Sequence, residues 1–343
     1  MNSLLANPDF QLVFWSFVKI FVILNGVLGV VSYMVLAERK ICGRMQGRPG
    51  PNRVGPAGLL QPIADAIKLL FKEEFIPGES NRVIYTIAPM LAVIPALVTF
   101  AVIPMGPNPA FLVTDVNVGL LVFLAMSSIG VYAITLAGWS SNSKYSLLGG
   151  LRSSAQMISY ELAMGISTVG VLLLAGSLSL VDIVKAQQGF TPFLGIPVPA
   201  WFVFQQPLAF IIFMITALAE TNRAPFDLPE AEAELVAGFH TEYSSMKFGL
   251  FFLGEYANII TICAIATTLF LGGWQGPWLP DALKFLWFFA KVFALLFFFF
   301  WVRWTFPRLR YDQLMNLGWK VLLPLAIGNV LVTSFAIYWM EMR

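Results

Sequence analysis

Six carboxylates and one guanidinium crowd a short stretch of this chain. Glu220, Asp227, Glu230, Glu232, Glu234 and Glu242 stand with Arg223 in the segment ETNRAPFDLPEAEAELVAGFHTE. Two further acids, Glu161 in AQMISYEL and Glu255 in FLGEYAN, fall inside long apolar runs. Carboxylates exchange protons and attract or repel mobile charge, and beside hydrocarbon they are costly, so such clusters mark an ion, proton or ligand path. Metal redox chemistry has no comparable set of residues. His240 is the single histidine and Cys42 and Cys263 are far apart, which rules out a bis-histidine haem and a four-cysteine iron–sulfur cluster, and no disulfide is expected. No GxGxxG or Walker signature is present for a nucleotide.

The elements that position these residues are read from hydropathy. With 58% hydrophobic residues and 12% charged in 343 residues, the chain cannot be arranged as a soluble globule with a polar skin. A spanning helix needs about 20 mainly apolar residues. Runs near 12–37, 83–105, 117–139, 155–176, 202–220, 247–272, 284–305 and 319–340 meet that length, which predicts an all-α polytopic membrane protein of about eight transmembrane helices in one transmembrane domain. The first run is followed by no small-residue cleavage site and reads as a retained helix. Of the 21 Lys and Arg, 16 fall in alternate loops on one side. The positive-inside rule then places the loops 38–82, 140–154, 221–246 and 306–318 inside and both termini outside.

The first inside loop, from Glu38, carries ERKICGRMQGRPGPNRVGPAGLLQPIADAIKLLFKEE. Leu59, Leu60, Ile63, Ile67, Leu70 and Phe71 recur at helical spacing, which predicts a surface amphipathic helix over about 58–73. A topogenic basic loop would explain the charge there, but not Asp65 on the helix or Glu38 beside Arg39. Glu161 and Glu255 are expected roughly 10 Å below the inner surface, at 1.5 Å per residue, with Glu220 closing the fifth span on the same side. Structural hydrogen bonding between helices is the bland alternative to a hydrated proton path. Tyr160 and Tyr256 stand next to two of these acids as hydrogen-bond partners. Pro225 and Pro229 bracket APFDLP, break the helix leaving the fifth span and predict an irregular segment, tolerated at that depth only where protein buries it or water lines it. Lys291, mid-span, is expected to pair with a carboxylate or line water. Lys19 is expected to snorkel outward, Phe297 to Phe300 to face lipid, and His240 to be an ordinary polar loop residue.

The blocks AERK, GPNRVGPAGLLQPIADAIKLLFKE, SNSKYSLLGGLRSSAQMISYE, LAETNRAPFDLPEAEAELVAGFHTEYS, EYANI and RWTFPRLRYDQLMNLGWK, in that order, resemble the H-subunit family of NADH:quinone oxidoreductase, called subunit 1 in mitochondria, of respiratory complex I. The resemblance implies a quinone chamber, for ubiquinone or menaquinone as substrate, involving Glu38, Arg39, Asp65, Arg223, Asp227, Glu230, Glu232, Glu234, Arg303 and Arg308. It implies a buried proton path through Tyr160, Glu161, Glu220 and Glu255, coupling quinone reduction to proton translocation. No cofactor or metal bound by this chain is expected. The implied partners are soluble quinone-site and iron–sulfur subunits, small membrane subunits, antiporter-like subunits and the lipid bilayer; nucleic acid is not among them. The implied setting is an energy-transducing membrane of the respiratory chain, the bacterial plasma (inner) membrane rather than the mitochondrial one.

Two other classes fit parts of the pattern. A membrane anchor of a related hydrogenase or ferredoxin-linked complex would share the fold, and co-purifying modules would separate it. An ion or solute transporter would explain buried acids, but carriers often show inverted repeats, and no block of residues 1–170 recurs in 171–343.

Overall fold

The computed structural model describes residues 8–193, 196–227 and 237–342. Among these, seven helices are long and apolar enough to cross a membrane, and an eighth apolar helix is shorter. In chain order the α-helices are α1 (Pro8–Met45), the surface helix α2 (Gln61–Phe71), α3 (Arg82–Thr99), α4 (Gly119–Ser140), α5 (Lys144–Ala175), the short α6 (Leu180–Ala186) and α7 (Phe202–Gln205), α8 (Pro207–Glu220), α9 (Ser245–Phe270), α10 (Phe285–Thr305), α11 (Tyr311–Asn316) and α12 (Leu323–Glu341). A π-helical turn, Leu317–Leu322, joins α11 to α12. The sequence reading missed a small antiparallel pair, β1 (Phe190–Phe193) with β2 (Ile196–Pro199).

Several boundaries differ from those read in the sequence. With 38 residues α1 is roughly 57 Å long and α5, with 32, roughly 48 Å, so both outrun the hydrocarbon thickness of about 30 Å. Glu38 and Arg39 therefore sit on a rigid extension of α1, and most of the loop expected at 140–154 is the first turns of α5. The fifth predicted span is broken at Gln206–Pro207, and α8, at 14 residues or about 21 Å, is too short to cross alone. Buried Gln206 holds this break, donating to Thr333 Oγ1 (2.7 Å) and accepting from Asn329 Nδ2 (2.8 Å), which ties α8 to α12.

The core is centred on α9, whose residues from Tyr256 to Phe270 are almost all buried. It packs on α1, α3, α10 and the surface helix. Gly254 allows α3 to approach closely, since a Cβ there would lie 2.9 Å from the Ala92 carbonyl oxygen. The last carbonyls of α2, at Leu69 and Lys72, accept from Ser245 Oγ at 3.0 and 2.9 Å. This fixes the surface helix to the start of α9 while Ile63, Ile67, Leu70 and Phe71 remain exposed, as an interfacial helix requires.

Two expectations about side chains change. Lys291 pairs with backbone carbonyls in place of a carboxylate: its ammonium donates to those of Leu271 (2.5 Å), Gly273 (3.0 Å) and Gln275 (2.5 Å), over the Trp201 ring at 4.1 Å. The unravelled C-terminus of α9 supplies those acceptors, where a cation is favoured. Phe297 and Phe298 are exposed but Phe299 and Phe300 are buried, as four consecutive residues on a helix must divide between faces. Lys19 donates to the Pro109 carbonyl at 3.1 Å.

Gly149 of α5 meets the turn Gly238–His240 backbone to backbone, and a Cβ at 149 would fall 2.8 Å from Gly238 Cα and 2.9 Å from Phe239 N. Gly149→Ala is therefore expected to push that turn off α5 at a cost of about 1–3 kcal/mol, read as a lower melting temperature of the assembled complex. Gly165→Ala, where an added Cβ meets nothing within 4 Å, is expected to leave it unchanged.

Candidate functional site

The end of α8 sets up the site. After Glu220 the chain turns through Asn222 in the left-handed region (φ 50°) and a cis Ala224–Pro225 bond, with Arg223 N–H donating to the Leu218 carbonyl at 3.3 Å. Gln156, fully buried on α5, holds this turn by donating to the carbonyls of Ala219 and Phe226, each at 2.8 Å. A helix that stops inside the membrane thus delivers Glu220 and Arg223 to the interior.

Arg223 is 5% exposed and lies at the centre of a charge cluster from four segments. Its Nε is 2.6 Å from Glu255 Oε1 of α9 and its Nη1 is 3.7 Å from Glu38 Oε1 of α1. Its guanidinium lies 4.5 Å over the Tyr256 ring. Glu38, also buried, accepts from the Tyr256 hydroxyl at 2.6 Å and from Arg303 Nη1 of α10. Two cations and two carboxylates therefore neutralise each other, and the cation–π contact adds to the fit. Arg39–Asp65 at 3.0 Å and Arg308–Asp227 at 3.1 Å are more exposed pairs at its edge. Ion pairs in water contribute about 0–1 kcal/mol, whereas breaking a buried one leaves an uncompensated charge.

The other predicted acids form a second group. Glu220 Oε1 accepts from Ser127 Oγ at 2.8 Å, and its Oε2 is buried with no hydrogen-bond partner among the described residues. Ser128, the next residue of α4, donates to Glu161. The pairing of Tyr160 with Glu161 and of Tyr256 with Glu255 does not occur, because successive residues on a helix point about 100° apart. Tyr160 donates to the Leu314 carbonyl at 2.9 Å, beside the π-helical turn, and Tyr256 to Glu38. Glu230, Glu232 and Glu234 lie outside the described residues.

Three cavities meet at one turn of α9. An apolar chamber of about 530 Å³ opens between α1, α2 and α9 and reaches Arg39, Asp65 and Tyr256. It shares Val35, Arg39, Phe252 and Tyr256 with a polar pocket of about 460 Å³ lined by Glu38, Arg48 and Arg303. On the other side of Phe252, a cavity of about 80 Å³ lies among Ser127, Glu220, Asn222, His240, Glu255 and Asn258. At roughly 15 Å³ of such volume per molecule it has room for about five waters. His240 is no ordinary loop residue: it is buried among Phe239, Phe248 and Phe252, and burial pushes its pKa down to about 4, so it is neutral at pH 7.

Sequence reasoning missed Ser127, Ser128, Gln156 and the placement of His240. Only Gln156, a long polar side chain within an apolar span, carried a visible signal; the serines acquire their roles from residues 93 and 33 positions away.

Arg223→Gln is expected to destabilise the assembly by about 3–5 kcal/mol, because Glu38 and Glu255 are left with a surplus of buried negative charge. Adding Glu255→Gln to the same chain should restore part of that loss. Thermal denaturation of the complex with each single variant and the double variant measures the coupling, and additive losses would show that the two residues act independently.

A family model described as NADH dehydrogenase matches residues 18–334. The chain is 59% identical over 324 residues to an NADH-quinone oxidoreductase H-subunit of Geobacter metallireducens, covering 92% of this chain and 94% of that one. It is 56% identical to an H-subunit of the same enzyme from Geobacter sulfurreducens, over 93% and 95% of the two chains. Similarity to NADH-quinone oxidoreductase subunit 8 of Rhodothermus marinus is 52% identity over 94% and 97%.

Proposed function

Because the chain belongs to the H-subunit family of NADH-quinone oxidoreductase and is a multi-pass membrane component of that enzyme, we propose that it forms much of the quinone chamber and couples quinone reduction to proton translocation through its buried acids. The observation that carries this reading is the junction of cavities at Phe252–Tyr256. The apolar chamber suits the prenyl tail of a ubiquinone or menaquinone, and the adjoining pocket of Glu38, Arg39 and Arg303 suits a headgroup whose charge changes on reduction. Asp65 lines the chamber and pairs with Arg39, which stands in the wall that the two spaces share. Arg223, Asp227 and Arg308, with the carboxylates Glu230, Glu232 and Glu234 beyond the described residues, complete the polar lining as site residues of this reading.

Reduction to quinol consumes two protons. Electrons reach the headgroup from iron–sulfur and quinone-site subunits that dock on the inner loops, and the proton-moving step is completed by small membrane and antiporter-like subunits. In this chain the response is electrostatic. Unit charges 4 Å apart interact by about 4 kcal/mol at an effective dielectric of 20, so protonating Glu38 frees Arg223 to favour Glu255. Glu255 lines the small cavity with Glu220, and Glu161 lies beyond it through the adjacent serines, with Tyr160 at the inner edge. The inside loops are on the side of the soluble partners, with both termini on the opposite side of a bacterial plasma membrane.

Two measurements test this. Val35→Trp, which fills the shared wall of chamber and pocket, is expected to raise KM for a long-tailed quinone about tenfold, equivalent to about 1.4 kcal/mol, with little change for a tail-less analogue; equal KM values for both would remove the chamber from this place. Glu161→Gln, Glu220→Gln and Glu255→Gln, introduced singly, are expected to lower NADH-driven quinone reduction and proton uptake together in vesicles holding the assembled complex. Full pumping in all three would reduce these acids to structural hydrogen bonders.

A further inference from the structure

A fourth space takes no part in that scheme. Between α1 and α10 runs an apolar groove of about 590 Å³, walled by Gly26, Gly29 and Ala37 on one side and Phe293, Phe297 and Phe300 on the other. The wall residues of α1 follow one helical face, and the groove runs from Gly26 to Ile41, about 22 Å at 1.5 Å per residue. Both glycines keep it open: a Cβ added at Gly26 or Gly29 would meet nothing within 4 Å. The groove opens sideways towards the bilayer, since Val30, Tyr33, Phe293 and Phe297 are exposed.

Its inner end is charged. Arg44 lies 18 residues after Gly26, five full turns at 3.6 residues each, and so returns to the same face just beyond Ile41. Arg44 is exposed, in the last turn of α1. On the facing helix the series Phe293, Phe297, Phe300 continues to Trp304, which is 44% exposed, as indole rings are at the level of lipid headgroups. The nearby acid, Glu38, is already committed to Arg303, Arg223 and Tyr256. A long apolar slot crowned by a cation and an interfacial tryptophan matches a lipid whose headgroup is negative.

We propose that this groove is a binding site for an anionic phospholipid of the inner leaflet, one acyl chain lying along Gly26, Gly29 and Ala37 and the phosphate meeting Arg44. The groove and the apolar quinone chamber lie on different sides of α1, and of the residues that wall or crown the groove only Trp304 also lines the polar pocket assigned to the headgroup.

The test is the phospholipid retained by the intact complex purified in mild detergent, with phosphatidylglycerol, cardiolipin and phosphatidylethanolamine quantified by mass spectrometry. Gly29→Leu, whose Cβ meets nothing within 4 Å and whose side chain projects into the slot, is expected to remove one bound phospholipid per complex. Arg44→Gln, a surface change that spares folding, is expected to weaken retention of the anionic species about fivefold and leave phosphatidylethanolamine unchanged. Unaltered lipid content in both variants would overturn the proposal. So would an unchanged lipid content with a raised KM for long-tailed quinone in Gly29→Leu, which would make the groove a prenyl path. Equal loss of zwitterionic and anionic lipid in Arg44→Gln would overturn the assignment of headgroup charge.

Discussion

Burying the guanidinium of Arg223 constrains the rest of this molecule. A charge in that position is tolerable only if carboxylates reach it, and they come from α1 (Glu38) and α9 (Glu255). Glu38 in turn needs Arg303 of α10 and the Tyr256 hydroxyl. One buried cation thus fixes the relative positions of α1, α8, α9 and α10 at one end of the bundle. Replacing the group by apolar side chains of similar volume would be no less stable on general grounds, which argues that the charges are kept for what they do.

The same need for satisfied polar groups explains how irregular backbone survives at membrane depth. Among the described residues, several breaks are closed by a long polar side chain. Gln206 joins the break before α8 to α12, Gln156 holds the turn after it, and Lys291 collects the carbonyls beyond α9. Buried Gln187 does the same beside Lys291, at the end of α9, donating to the Thr268 carbonyl and accepting from Phe202 N–H and Gly272 N–H. In lipid every backbone donor and acceptor must be met from within the protein, and these four side chains meet it at the places where helices stop. The interior position of Arg223 depends on that, because a helix carried on past Glu220 would have delivered it elsewhere.

Hydropathy made the spans legible because a run of about 20 apolar residues has few alternatives, and the amphipathic spacing of Ile63, Ile67 and Leu70 made the surface helix legible. Helix ends were not, since charged residues such as Lys40 and Arg44 are good helix formers and continue α1 well past the hydrocarbon. The candidate acids could be named individually from their cost in an apolar run, but their partners could not. Glu38 and Tyr256 are 218 residues apart, and hydropathy carries no information about such pairs. The expectation for Lys291 went wrong for the same reason: a lone cation in a span signals a negative counterpart, and carbonyl oxygens at a helix end serve as well as a carboxylate while leaving no mark in composition.

Phe252, Glu255 and Tyr256 occupy one turn of α9, and each faces a different combination of cavities. Tyr256 touches both the apolar chamber and the polar pocket, while Glu255 faces the small hydrated-size cavity and pairs with Arg223. A charge arriving in the polar pocket is therefore separated from Glu220 by a single helix turn and one shared guanidinium, with no need for a long chain of contacts. Arg223 cannot satisfy Glu38 and Glu255 equally when one of them changes charge, since its Nε is already closer to Glu255 than its Nη1 is to Glu38. In the proposed coupling the two acids are therefore linked reciprocally: neutralising Glu38 leaves the guanidinium to Glu255, and neutralising Glu255 returns it to Glu38. A competition of this kind, set by one buried cation between two acids, is what the proposed coupling of one cavity to the next rests on.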